Sequence, residues 1–309
     1  MIEDLLRFAE STYPAPDTPE GRAYTDFGGL PEATFPSPDA SLNAVTLHPH
    51  LLAAIGALLG VPPSELRLTQ SDLWPKYGRS ERPTDPLDNN DQRIHVDYPN
   101  HFLTHPPPWH QPEAVELIVY LSDGRACRGG TAVVPREGPD DPAYPFPIIG
   151  SPGIGDTPFI NDREAAEAHL AAVQPEVAGW REALYDREVQ VDYRRGDVLF
   201  YRHDTWHRGT PLAPGTCRFA QNITYRTARA EWISTAHAGW AWNAYRAGQP
   251  FEKMIAQCTV DQRAVLGFPQ PGSTYWCEET LEAVEARYGP FGMDMAPYRD
   301  ALLRKEHGR

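Results

Sequence analysis

The strand-like runs of this chain follow one another across turns, without the helices that would alternate with them in a doubly wound sheet. Leu66–Ser71 alternates in polarity, and 92–97 is a short extended run. Residues 114–122, AVELIVYLS, are apolar and β-branched. Thr131–Val134 follows a Gly-Gly turn and stops at Pro135, and strand character returns at 188–202 and at Arg218–Tyr225. Gly196-Asp197 predicts a tight hairpin inside 188–202. That order of elements predicts a mainly β fold with added helices, closed or sandwich-like.

Helices are expected outside this core. An amphipathic one is predicted over 2–11, and the Pro-rich stretch to residue 40 reads as loop. HPHLLAAIGALLG, ending near Gly60, reads as a helix. Residues 137–160 are Pro/Gly-rich and 161–184 mainly helical, with a break at Pro175. This insertion, 137–187, reads as a pocket wall or lid, or as packed decoration. With 309 residues, 41% of them hydrophobic, the chain can bury a core without disulfides. One domain over 1–309 is expected: helical and loop elements over 1–64, the β core over 65–225, and a covering region over 226–309.

His95-Val96-Asp97 is the first pattern with chemistry in it. On a strand, residues two apart face the same way, so the imidazole and carboxylate can reach one metal ion. A second imidazole from a distant strand would complete a two-histidine, one-carboxylate set that suits Fe(II) and leaves positions open. More than a hundred residues on, His203 and His207 both offer it, in Gly196-Asp197-Val-Leu-Phe-Tyr-Arg-His203-Asp-Thr-Trp-His207. Arg218 follows eleven residues after His207. A buried arginine at that point can grip a carboxylate with two prongs.

These residues together resemble the phytanoyl-CoA dioxygenase family of Fe(II)/2-oxoglutarate oxygenases. The resemblance rests on His95-Val96-Asp97, on Ala114–Ser122 with Gly129-Gly130-Thr131-Ala-Val-Val-Pro135, on Gly196–Phe200 through His207, and on Arg218. It covers roughly residues 65–225. It implies a double-stranded β-helix core of the jelly-roll, cupin-like kind. It implies Fe(II) on His95, Asp97 and His207, 2-oxoglutarate as cosubstrate with its distal carboxylate on Arg218, and O₂ as oxidant, giving succinate and CO₂. Retention of Asp97 points to hydroxylation, desaturation or ring closure of a small molecule, since related halogenases replace that carboxylate. The sequence departs from the family after Pro135, where Arg136-Glu137-Gly138 stands in place of Gly-Ser-His.

Other residues are candidates by position. Thr131 can donate a hydrogen bond to 2-oxoglutarate. Gln92, Tyr98, Trp109, Arg136 and Trp206 are candidates for the substrate pocket. His101, His105 and His110 sit in a Pro-rich loop beyond the first motif, at a pocket entrance or simply in the loop.

Composition excludes more than it assigns. A net charge of −14 argues against a nucleic-acid partner. No continuous apolar segment suggests a membrane span, and the acidic start lacks the basic region of a secretory signal. Cys127, Cys217, Cys258 and Cys277 show neither zinc-ribbon nor disulfide spacing. A cytoplasmic protein is expected, of open oligomeric state. A cupin-like metalloenzyme without 2-oxoglutarate, and a noncatalytic β-rich binding protein, are the competing readings. The side chain of Arg218 discriminates the first, and the proximity of the three ligands the second.

Overall fold

A computed structural model describes residues 1–24, 30–81, 84–101, 104–106, 109–110, 112–230 and 249–307. Among the described residues seven strands form: β1 (Leu66–Tyr77), β2 (Ala114–Tyr120), β3 (Thr131–Val133), β4 (Val189–Gln190), β5 (Val198–Arg202), β6 (His207–Gly209) and β7 (Cys217–Thr227). They form two antiparallel sheets, ordered β1-β7-β2-β5 and β4-β3-β6.

Side-chain alternation divides the larger sheet into two working faces. Val115, Leu117 and Val119 of β2, with Phe219, Ile223 and Tyr225 of β7, join a core that includes Leu5, Leu42 and Ile55 of the N-terminal helices. Glu116 and Ile118, with Arg218, Ala220 and Asn222, face a cavity on the other side. β1 begins in phase with the core, through Leu66 and Leu68, and then changes phase. The ladder slips between Leu68 and Gln70, so Thr69 is an extra residue. Beyond this bulge Leu73 faces the core, while Gln70, Trp74 and Lys76 face the cavity.

The two helices predicted near the N-terminus are present, Ile2–Thr12 and Pro49–Leu59, the second ended by Gly60 at φ 67°. The stretch to residue 40 also holds a short helix at Pro19–Ala23. Ala40–Leu59 is long and apolar enough, by length and composition, to cross a membrane. It is divided into helices Ala40–Thr46 and Pro49–Leu59, and Leu42, Val45, Ile55 and Leu59 are spent on the core. In the insertion, helices Arg163–Val173 and Pro175–Arg187 meet at the predicted break. Arg181, fully buried, pairs with Glu167 and donates to the carbonyl of Ile94, so the insertion clamps the segment that leads into His95. At the C-terminal end, helices Pro250–Gln257 and Glu278–Tyr288 share an apolar cluster, and Arg287 donates to the carbonyls of Pro99 and Thr104. The aromatic part of the predicted covering region, residues 231–248, lies outside the described residues.

Two expectations are corrected. The turn at Arg194–Asp197 exists, but it joins no hairpin: β4 pairs with β3 in one sheet and β5 with β2 in the other. Polarity alternation marks a strand without naming its partner. Residues 92–97 are also not a regular strand. His95 makes a single reciprocal bridge with His207, with both N–H···O distances 2.9 Å, and Asp97 already has helical φ −96° and ψ −12° at the start of the 3-10 turn Tyr98–Asn100.

Candidate metal centre

The bridge and the turn, rather than strand alternation, bring the first three candidates together. Pairing of His95 with His207 puts their rings 4.4 Å apart. The turn at Asp97 swings its carboxylate between them. Asp97 Oδ1 lies 3.4 Å from His95 Nε2, and Oδ2 lies 3.2 Å from His207 Nε2.

Each imidazole is locked by its other nitrogen. Nδ1 of His95 lies 3.0 Å from the Arg93 carbonyl, and Nδ1 of His207 lies 3.0 Å from that of Thr205. A carbonyl only accepts, so each Nδ1 carries a proton, and Nε2 is the atom turned toward Asp97, able to hold either a proton or a metal ion there. Burial and the charge of His207 push His95 down to about 4, which keeps its ring neutral. Burial pushes the Asp97 carboxyl up, but His207 and His95 outweigh it and hold it well below the usual carboxylate range. His207 is raised despite its burial, because the Asp97 carboxylate favours its charged form. A divalent ion would take the place of that proton. Tyr201 donates to Asp97 Oδ2 at 3.4 Å, and burial lifts its phenol well above the ordinary range, so it stays a donor.

The triad opens on a cavity of about 100 Å³ whose walls come from both sheets. Arg218 faces it, and its cross-strand partner is Lys76. Like charges directly opposite each other on neighbouring strands repel. Both are also short of partners: Lys76 Nζ and Arg218 Nε and Nη1 are buried without a hydrogen bond among the described residues. The nearby carboxylates are engaged elsewhere, Asp91 with Arg208 at 2.5 Å and Asp88 with Arg79 at 3.6 Å. Burial and the Arg218 charge push the Lys76 amine well below its usual range. An anion placed between them would satisfy both buried groups and restore the charged form of Lys76.

Thr131 and Gln92 also line this cavity. The Thr131 hydroxyl accepts from Tyr120 at 2.9 Å, leaving its own hydrogen to give. Gln92 Oε1 accepts the Gly209 N–H at 2.9 Å, and a Cβ on Gly209 would stand 2.8 Å from Lys76 Nζ. The other pocket candidates lie elsewhere. Tyr98 and Trp206 are fully buried in an apolar cluster with Ile94 and Val134, donating to the carbonyls of Ile148 and Ala143. Each is the chain neighbour of a triad residue, yet its side chain packs in this cluster instead of the cavity. Trp109 is packed between the guanidinium groups of Arg136 and Arg202, each 4.4 Å from its ring, and Arg136 pairs with Asp204.

His203 stands apart from the triad. Its side chain meets Glu116 at 2.6 Å, while its carbonyl accepts the Asp97 N–H at 3.2 Å. Lys76, Tyr201 and Glu116 were not among the sequence candidates. A signal for Lys76 existed, since it is one of only three lysines and sits in an otherwise strand-like run. Insertion residues Phe159 and Asn161 line the cavity too, which makes the insertion a wall.

His105 is a structural residue. Nδ1 lies 2.8 Å from the Pro106 carbonyl, and Nε2 accepts the Ile148 N–H at 2.9 Å, an arrangement that needs the neutral ring. Burial pushes it down from 6.5 to about 4. The unfolded chain takes up this proton below about 6.5 and the folded chain only near 4. Stability from this site is therefore intact above about 6.5 and lost as pH falls toward 4. His105→Gln should show a shallower fall of melting temperature over that window than the parent; parallel curves would contradict the assignment.

No family model matches the chain, and no curated protein matches it. Several solved structures resemble it. The epimerase SnoN, in complex with Fe³⁺, alpha ketoglutarate and nogalamycin RO, is 21% identical over 65% of this chain and 64% of its own, with TM-score 0.40. The present chain thus spans a little under two thirds of that protein's length. AviO1 from Streptomyces viridochromogenes Tue57 is 18% identical over 74% of this chain and 85% of its own, with TM-score 0.43. HygX from Streptomyces hygroscopicus, with nickel and 2-oxoglutarate bound, is 18% identical over 74% and 76%, with TM-score 0.40. Likeness at this level carries no activity from one chain to another, so the function must be read from the cavity itself.

Proposed function

We propose that the chain is a non-haem Fe(II)- and 2-oxoglutarate-dependent oxygenase acting on an unactivated C–H bond of a small molecule. One observation carries this reading: a convergent His95, Asp97 and His207 set shares a single cavity with Lys76 and Arg218, whose Nζ, Nε and Nη1 atoms are buried without a hydrogen bond among the described residues. The two antiparallel sheets, with the segment at His95 added beside β6, support a double-stranded β-helix core in this reading. The phytanoyl-CoA dioxygenase-like motifs support the same placement, and the departure after Pro135 falls on Arg136, outside the cavity wall.

In this reading His95 and His207 hold the metal through Nε2 and Asp97 through a carboxylate oxygen. Lys76 and Arg218 hold the distal carboxylate of 2-oxoglutarate, with a hydrogen bond from Thr131. Metal and cosubstrate, when bound, supply the oxidising power from O₂, with succinate and CO₂ as products. The chain's own part is to fix the ligand nitrogens, keep Tyr201 protonated beside Asp97, and neutralise the diacid away from water. Asp97 occupies a ligand position of its own, which favours insertion of oxygen, desaturation or ring closure over halogenation.

Calorimetry tests the cosubstrate. Under argon, 2-oxoglutarate is expected to bind the Fe(II)-loaded protein far more tightly than the metal-free protein. No binding to either would remove 2-oxoglutarate from the account and favour a cupin-like metalloenzyme.

A further inference from the structure

A second set of metal-ligating side chains meets beside the same cavity, two of them, His101 and Glu116, on its wall. His101 follows the 3-10 turn, Glu116 comes from β2, and His203 precedes β6. All three are buried, with exposures of 5%, 4% and 3%. Glu116 Oε1 lies 2.6 Å from His203 Nδ1 and 4.0 Å from His101 Nε2. The two imidazole rings are 4.8 Å apart, and one ligand atom from each of the three residues falls within 4.8 Å of the others.

The angles matter as much as the distances. Glu116 Oε1 has no hydrogen-bond donor among the described residues, although a ring nitrogen stands 2.6 Å away. The other oxygen, Oε2, accepts from the Thr224 hydroxyl. A simple imidazole–carboxylate hydrogen bond would line its N–H up with the oxygen. Here the short approach occurs off that line, as it does when donor atoms point toward a common centre and not at each other. A carboxylate buried this deeply also needs a cation.

We propose that His101, Glu116 and His203 hold a second divalent transition-metal ion beside the His95, Asp97 and His207 centre. Two imidazoles and one carboxylate suit zinc, iron or nickel, and fall short of the oxygen-rich shells that magnesium and calcium take. The ion ties together three separate segments. One of them, at His203, offers the carbonyl that accepts the Asp97 N–H. The second ion thus braces the backbone on which the first centre is built. The assignment does not depend on which cosubstrate the first centre uses.

Cobalt(II) is the probe, because its visible bands report nitrogen and oxygen ligation directly. The full-length protein is titrated with Co²⁺, and bound metal is counted after desalting. Two equivalents are expected in the parent, one in His101→Ala, one in His207→Ala and none in the double variant. Glu116→Gln keeps shape and removes charge; it should also drop to one equivalent, with an unchanged circular-dichroism spectrum, and it covers the case in which His101→Ala does not fold. A parent that binds a single equivalent overturns the proposal. So do two equivalents that survive both His101→Ala and Glu116→Gln. If His207→Ala keeps every equivalent while His101→Ala loses one, the second site stands and the first centre falls.

Discussion

Replacing Lys76 with methionine is expected to make the protein more stable and at the same time unable to hold 2-oxoglutarate. In the ligand-free chain the Lys76 amine is buried opposite Arg218, which disfavours its charged form, and its Nζ has no hydrogen bond among the described residues. Methionine matches its length, removes the desolvated charge and relieves the cross-strand repulsion. A gain of about 1–3 kcal/mol in the ligand-free protein is the scale for such replacements. The same change removes half of the receptor for the distal carboxylate. Losing one partner of a buried charged contact costs about 3–5 kcal/mol, or more than 100-fold in affinity. Arg218→Leu should act in the same two directions. Thermal unfolding without ligand and calorimetry with it give the two readings. A Lys76→Met protein that is less stable, or that binds 2-oxoglutarate as the parent does, would show that these cations serve the fold instead.

The second large effect separates the two histidines that compete in the sequence. His207→Ala removes a nitrogen that faces Asp97 at 3.2 Å. Iron affinity at this centre should fall by more than 100-fold, beyond the 10–100-fold typical of changes one layer out from a metal. His203→Ala removes a side chain directed at Glu116, and the His203 carbonyl that holds the Asp97 N–H remains in the backbone. Its effect on the first centre should stay within about tenfold. The absorption of the Fe(II)–2-oxoglutarate chelate reads this centre alone, whatever the second site holds. Equal loss in both variants, or loss only in His203→Ala, would reverse the ligand assignment.

Much of this arrangement can be read from the chain, and what cannot has a physical reason. Residues 114–122 and 218–225 announce themselves as strands because their alternate residues serve two buried faces. The helix ending at Gly60 is legible from its apolar run and its stop. The spacing of His95 and Asp97 suggests a common target, although a bridge and a turn deliver them there. Lys76 is hidden because its facing depends on the bulge at Thr69, and a bulge is a property of two paired strands. The separation of β4 from β5 is hidden for the same reason. His101, Glu116 and His203 are far apart in sequence and meet only once β2 lies beside β5. Tyr98 and Trp206 mislead because nearness in sequence to a triad residue says little about direction: both side chains are taken up by the apolar cluster with Ile94 and Val134.

The central claim is that one cavity holds both a metal and a diacid. Its most direct test is an anaerobic optical titration of the Fe(II)-loaded protein with 2-oxoglutarate. The account predicts a weak visible charge-transfer band that saturates with the diacid, that is absent in His207→Ala for want of metal, and that is absent in Arg218→Leu for want of the carboxylate grip. A parent protein that binds Fe(II) and develops no band at saturating 2-oxoglutarate would contradict it.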